Sequence, residues 1–352
     1  MSIRLGIIGC GGACRAFHIP TIVANLEVDL VAVCDSNLAR AEQLAKEFSV
    51  PYCTDDFKAL LSRQDIDAVD ICMPTFLHMP VIVAALEAGK HVFCEKPDAM
   101  NPGEMEKIMR AAQKAQKRVM IMRNNRFLPT AQFLKGMAER GDFGTIYAGK
   151  CGWQRRRGIP GKGGWITTKA TAGGGPLIDL GIHMIDLAVW LMGSPRPVSA
   201  SGSTFRMFDG NEAYPDSVDA KFGERRQDGT FDVEDLAMGF VRFDNGACLQ
   251  IECSWASNVA CSKRFVQLYG DKAGFDWDDG KIKIFGEQDK YLTDMQPNVT
   301  DFELGHGDNL NNFFDVLMGK AQPLYTMQQG MDVLKIIDAL YRSAEQGREI
   351  AL

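Results

Sequence analysis

Lys96, Asp179 and His183 are the side chains whose type and setting suit proton transfer to a bound molecule. His91 to Cys94 is a short apolar run that ends abruptly in Glu95, Lys96 and Pro97. Such an ending is expected where a parallel sheet presents the carboxyl ends of its strands to ligand, which makes Lys96 a hinge between a cofactor half and a substrate half. Asp179 and His183 lie four positions apart in a run from Pro176 through Trp190 that reads as one helix, so they share a face. A carboxylate beside an imidazole fixes its tautomer and raises its basicity, as a general base needs. The same pair also suits a structural hydrogen bond inside a buried helix. Asp179, His183 and Asp186 together would suggest a metal set, but no third ligand of suitable type accompanies them, and no metal is expected.

A second constellation lies near the amino end. Gly9, Cys10, Gly11, Gly12, Ala13 and Cys14 separate an apolar strand from a helical pattern, and Asp35 follows the next strand 26 residues after Gly9. Glycines at these points let the backbone turn sharply and approach a pyrophosphate, while the acid accepts hydrogen bonds from the adenosine ribose. Cys14 takes the third glycine position, a small departure that affects helix packing more than phosphate contacts. Asp35 would repel a 2'-phosphate, which favours NAD over NADP, although Ser36 and Arg40 stand where one could be accommodated. Pro74, Thr75 and His78 end a further strand at the same crevice; alone, His78 reads as a hydrogen-bonding residue at a helix start.

The elements that must position these groups are read from periodicity. Apolar runs at Ile3 to Ile8, Leu30 to Cys34, Ala68 to Met73, His91 to Cys94 and Val119 to Met122 alternate with helical patterns, the signature of a doubly wound parallel sheet. A shorter piece, Val50 to Cys53, precedes Thr54, a candidate helix cap. After Met122 the alternation stops. A helix over Pro129 to Arg140 ends at Gly141, and β-rich runs at 145–155, 237–244, 247–255, 265–270 and 281–285, some joined by Asn245-Gly246 or Asp279-Gly280, predict an antiparallel sheet. The expected fold is therefore α/β followed by α+β: a Rossmann parallel sheet over 1–122, then a substrate-binding and oligomerisation domain over 123–352 on an open, mainly antiparallel sheet. A core-facing helix over about 328–346 closes the chain. Without a Pro/Ser-rich linker, the halves are expected to pack closely with a cleft between them. The polar stretch Asp209 to Asp232 reads as a long excursion.

The net charge of −6, with Arg155, Arg156 and Arg157 as the compact basic run, argues against nucleic acid or an anionic membrane as partner. Of the ten cysteines, Cys10, Cys34, Cys72 and Cys94 fall in strands or at their ends, which predicts buried reduced thiols in a cytoplasmic enzyme. No apolar run reaches the length of a membrane span.

Taken together, the glycine loop with Asp35, Pro74-Thr75, Glu95-Lys96-Pro97, Asn124 before Arg126-Phe127, and the segment Gly173 to Asp186 resemble the glucose-fructose oxidoreductase and inositol 2-dehydrogenase family over nearly the whole chain. The resemblance implies that Lys96, Asp179 and His183 are the catalytic set. Lys96 would hydrogen-bond the reacting hydroxyl, His183 would take its proton and Asp179 would orient the imidazole. It places Gly9, Gly11, Gly12, Ala13, Asp35, Ser36, Arg40, Pro74, Thr75, His78, Glu95, Lys96 and Asn124 at the cofactor. Lys96, Asp179 and His183 would face a sugar or polyol substrate; Arg157 and Trp165, read from their donor-rich segment, suit the same role, while the arginines equally suit alternation across a strand against acids on the sheet surface. The expected activity is hydride transfer between nicotinamide and a secondary hydroxyl of a cyclic polyol, sugar or glycoside, by a homodimer or homotetramer formed through the carboxyl-terminal sheet. Two other readings stay open from the sequence: glycoside cleavage through transient oxidation by a retained NAD, and a non-catalytic NAD-binding regulator.

Overall fold

Six strands form the first sheet: β1 (Ile3–Ile8), β2 (Val28–Cys34), β3 (Cys53–Thr54), β4 (Ala68–Ile71), β5 (His91–Cys94) and β6 (Val119–Ile121). The computed structural model describes residues 2–208, 226, 228–299 and 305–352, so most of the excursion predicted at 209–232 lies outside the described residues. Helices α1 (Ile19–Ala24), α2 (Leu38–Glu47), α3 (Phe57–Leu61), α4 (His78–Glu87) and α5 (Pro102–Ala115) alternate with these strands. The chain continues through α6 (Pro129–Arg140), α7 (Lys169–Ala172), α8 (Pro176–Asp179) and α9 (Gly181–Leu191), and ends with α10 (His306–Leu317) and α11 (Met327–Gln346).

Two units result, Met1–Asn124 with Leu304–Gln328 and Asn125–Glu303 with Gln329–Leu352. In the first, the order β3-β2-β1-β4-β5-β6 is parallel throughout, and its direction of winding reverses between β1 and β4. Ligands of such sheets bind beyond the strand ends at that reversal. Strands β1, β4, β5 and β6 read as near-continuous apolar runs because a parallel sheet is covered on both faces, and their residues are almost all buried. Asp70, a carboxylate within β4, departs from this type, as Arg4 in β1 and His91 in β5 do, and of the three it is the one that is fully buried.

The helix α10 belongs to this unit, whereas sequence order alone leaves it in the second half. Its Leu310, Phe313 and Phe314 complete the core formed by Leu5, Ile7, Phe93 and Met120, a long-range packing that periodicity does not carry. At α3 the cap is Asp56, whose side chain accepts the Lys58 N–H at 2.8 Å. Thr54, expected in that role, accepts the Asp56 N–H at 3.1 Å and shapes the turn before it.

In the second unit, strands β7 (Ile146–Gln154), β8 (Pro197–Phe205), β9 (Leu236–Phe243), β10 (Cys248–Ser254), β11 (Lys263–Gly270), β12 (Ala273–Asp278), β13 (Lys281–Gln288), β14 (Tyr291–Met295) and β15 (Ile350–Ala351) form one nine-stranded sheet. Its order is β14-β13-β12-β11-β7-β10-β9-β8-β15, antiparallel except for the β7–β10 pair. Leu249, Ile251, Val266, Leu268 and Phe275 are buried on the face that meets the helices. Lys150, Gln250, Glu252, Gln267 and Asp276 line a hollow on the other. The alternation follows from the strand period of two.

The single helix expected over Pro176 to Trp190 is two. Leu180 interrupts it: the His183 N–H bonds the Leu180 carbonyl, three residues back, at 3.2 Å, and the axis bends by 46° between Lys169–Asp179 and Gly181–Leu191. Asp179 therefore ends α8 and His183 lies in the first turn of α9. No single helix among the described residues is long and apolar enough to cross a membrane. All ten cysteines are free, and Cys261 alone of them is exposed.

Candidate active site

Beyond β1 the chain turns at Gly9 with φ of +104°, and a Cβ there would stand 2.3 Å from the Cys72 carbonyl oxygen beyond β4. Only glycine lets the two strand ends approach this closely. At Gly11 a Cβ would meet nothing within 4 Å, so the loop is tight against the sheet on one side and open on the other, which fits the close backbone approach a pyrophosphate requires. Gly12 and Ala13 already take up helical backbone after the turn, and Cys14 is buried in the core beneath it. Asp35, at the end of β2, ties the loop down: Oδ2 accepts the Cys10 N–H and Oδ1 the Asn37 N–H, each at 2.9 Å. An ionised carboxylate keeps further lone pairs for ribose hydroxyls. Ser36 and Arg40 are exposed beside it.

Beyond β4, Thr75 is buried and Pro74 half-buried. His78 is buried with Nδ1 2.7 Å from the Pro97 carbonyl and Nε2 2.8 Å from the Met73 carbonyl; burial pushes its imidazole below the ordinary range. It is thus a brace between two strand ends. Beyond β5, Lys96 is half-buried, joined to Pro97 by a cis peptide bond. The Lys96 N–H donates to Glu95 Oε2 at 3.1 Å, while Glu95 Oε1 lies 2.8 Å from His18 Nε2. Asn124 is buried at the start of the turn Asn124–Phe127 that follows β6.

In the second unit, Asp179 Oδ2 accepts the indole N–H of the fully buried Trp255 at 2.9 Å, and the His183 ring lies 5.8 Å from that of Trp153. The short α8 is seated by Glu234, whose carboxylate accepts the N–H groups of Gly175 and Leu177 at 2.9 and 3.1 Å and the Tyr341 hydroxyl at 2.8 Å. This explains two of the glycines before it. A Cβ on Gly174 would stand 2.1 Å from the Tyr341 hydroxyl oxygen, and one on Gly175 2.1 Å from the Glu234 carbonyl. Burial holds the Glu234 carboxyl above its usual range, and burial with the adjacent Glu234 holds Tyr341 well above its own.

Asp186 is committed elsewhere, in a buried two-point ion pair with Arg126 at 2.7 and 2.8 Å. Arg157 donates to the Ser257 carbonyl at 3.0 Å and to Asn258 Oδ1 at 2.8 Å, and lies over the Phe208 ring, so it braces its own loop. Trp165 is 41% exposed. Trp255, Glu234, Tyr341, His18 and Asp70 escape a reading by motif. The one signal for Asp70 was a charge inside an apolar strand, which must find a partner.

A parallel sheet in this order, with a glycine turn and an acid at its switch point, defines a dinucleotide-binding oxidoreductase fold. Residues 3–122 match the oxidoreductase family's NAD-binding Rossmann fold and residues 135–352 its C-terminal alpha/beta domain; the chain belongs to this GFO/IDH/MocA family of NAD(P)-dependent oxidoreductases. It is 34% identical over 351 residues to the D-glucoside 3-dehydrogenase of Escherichia coli (strain K12), covering 99% of this chain and 97% of that one. It is 25% identical to the myo-inositol 2-dehydrogenase of Thermotoga maritima, covering 99% and 100%. Among solved structures, levoglucosan dehydrogenase in complex with NADH and levoglucosan shares the fold with a TM-score of 0.86 at 21% identity, covering 100% and 99%.

Proposed function

We propose that this protein is an NAD(H)-dependent dehydrogenase that oxidises a secondary hydroxyl of a cyclic sugar, polyol or glycoside, or reduces the matching ketone. The observation that carries the reading is the place of Lys96: it follows β5, next in the sheet to β4, at whose reversal with β1 the Gly9–Ala13 loop lies. The substrate class draws support from the D-glucoside 3-dehydrogenase likeness, which covers 99% of this chain and 97% of that one.

Gly9, Gly11, Gly12, Ala13 and Asp35 would hold the dinucleotide, with Pro74, Thr75, His78, Glu95, Lys96 and Asn124 along the neighbouring strand ends. When bound, NAD supplies the acceptor for the hydride of the carbinol carbon. Lys96 holds the reacting oxygen and offsets negative charge on it as the C–O bond gains double-bond character. His183 takes the hydroxyl proton, and Asp179, itself fixed by Trp255, holds the imidazole in register. Arg157 shapes the loop that carries Trp165, whose exposed ring suits stacking on a sugar. Asp35 favours NAD over a 2'-phosphorylated cofactor, with Ser36 and Arg40 as its flank. A homodimer or homotetramer through the open face of the nine-stranded sheet, in the cytoplasm, completes the reading.

The test is purified protein with NAD and NADP separately against inositols, aldoses and glucosides, following reduced cofactor. Turnover with NAD on at least one cyclic substrate, lost in Lys96→Ala and His183→Ala, is expected. Full activity in both variants would sink the acid–base assignment.

A further inference from the structure

We propose that His18 is a positioning residue for Lys96, acting through Glu95. His18 ends a π-helical turn (Cys14–His18) between the glycine loop and α1, a local widening that is frequent at functional sites. Its ring is fully buried, with Nδ1 2.8 Å from Asp70 Oδ2 and Nε2 2.8 Å from Glu95 Oε1. An ionised carboxylate only accepts, so two carboxylates on one imidazole require a proton on each ring nitrogen. The cluster is then an imidazolium between two anions, the arrangement that leaves the fewest unpaired charges in a buried place.

The geometry links this cluster to the turn in two steps. Glu95 Oε1 is held by His18, and the other oxygen of the same carboxylate accepts the Lys96 backbone N–H. The orientation of Glu95 therefore sets the direction in which the chain leaves β5, and with it the origin of the Lys96 side chain. His78 braces the other flank through the Pro97 carbonyl. Lys96 stands between two buried histidine anchors, of which only His18 is tied to charge.

The groups facing His18 are Asp70 on β4, Cys72 just beyond it with Sγ 3.5 Å from Nδ1, Phe93 on β5 with ring centroids 6.1 Å apart, and Glu95. Cys14 stands by Cys72, and His306 and Lys96 add positive charge near Glu95. Burial would lower the His18 imidazole, but the Asp70 and Glu95 carboxylates hold it well above the ordinary range. Burial would likewise raise Glu95, and His18, with His306 and Lys96, holds it well below. Both the two-carboxylate geometry and the direction of the shift favour the imidazolium over the neutral ring.

This inference rests on Lys96 being the group that touches the reacting hydroxyl. Steady-state kinetics of the full chain with its best substrate and NAD, across pH, test it with His18→Gln, Asp70→Asn and Lys96→Ala. His18→Gln is expected to lower kcat by about a hundredfold with a much smaller change in KM, as a misplaced catalytic group does. Asp70→Asn removes one anion, so the alkaline fall of kcat should move down by about one pH unit or more, a shift that a merely structural role does not produce. Normal kcat in His18→Gln with an unshifted profile in Asp70→Asn overturns the assignment. If neither variant folds, the cluster is a determinant of folding and the positioning role falls. Lys96→Ala separates the two readings: full activity there removes the role of Lys96, whereas loss there beside unchanged histidine-cluster variants removes only that of His18.

Discussion

An imidazole serves as a base only while something keeps it turned the right way, and in the mechanism proposed above that duty falls to Asp179, whose carboxylate accepts the Trp255 indole N–H. Trp255→Phe keeps an aromatic ring in a fully buried slot but deletes the N–H that holds Asp179. It should lower kcat about tenfold while NADH binding, followed by fluorescence, stays intact; equal loss of both would mean that the indole serves packing alone. Asp179→Asn should cost more, about a hundredfold or greater in kcat, since the proposed orienter of the imidazole then loses its charge. Asp35→Ala should weaken NAD binding and narrow its advantage over NADP in calorimetric titrations; an unchanged preference would remove Asp35 from cofactor selection. As candidates, Lys96, Asp179, His183 and Asp35 could be picked from the sequence because each sits at a motif with a chemical reason. Their supports could not, because His18 lies 52 positions from Asp70 and 77 from Glu95, and no local pattern spans such distances.

At the level of the element, α8 is too short to hold itself and depends on Glu234 at its amino end. Tyr341→Phe strips one donor from that buried carboxylate and should cost about 1 to 3 kcal/mol in denaturant unfolding, with the loss concentrated where Glu234 is ionised. The sign follows from the raised Glu234 value. The folded state holds its proton more tightly than the unfolded one, so stability from this group is greatest below the ordinary carboxylate range and falls as pH rises through the folded value. Glu234→Gln should flatten that decline; a steeper one would contradict it. Of the parallel strands, Ile3–Ile8 and His91–Cys94 were legible to the residue, since buried apolar runs announce themselves, whereas β2 begins at Val28 rather than Leu30, β4 stops at Ile71 rather than Met73, and β3 is Cys53–Thr54 rather than Val50–Cys53. β8, rich in Ser and Gly, and β14, exposed along its whole length, carry no such pattern. Nor did the break at Leu180 show, because an apolar residue beside Gly181 reads as uninterrupted helix.

For the molecule as a whole, the open face of the nine-stranded sheet is where self-association is expected. Gln267 and Lys150 are paired across β11 and β7 on that face. Gln267→Arg sets a second cation beside the first, and light scattering should show a smaller species than the unmodified chain forms. A monomeric parent, or an unaltered oligomer in the variant, would turn attention to another surface. The helix α10 bears on a different matter, the order in which the chain is made. Leu310, Phe313 and Phe314 fill the core of the first unit, and burying such side chains is worth about 1.5 to 3 kcal/mol each. A ribosome that has released residues 1–124 has therefore delivered a sheet whose interior is still missing a wall, and the dinucleotide unit must wait, incomplete, until His306–Leu317 has emerged.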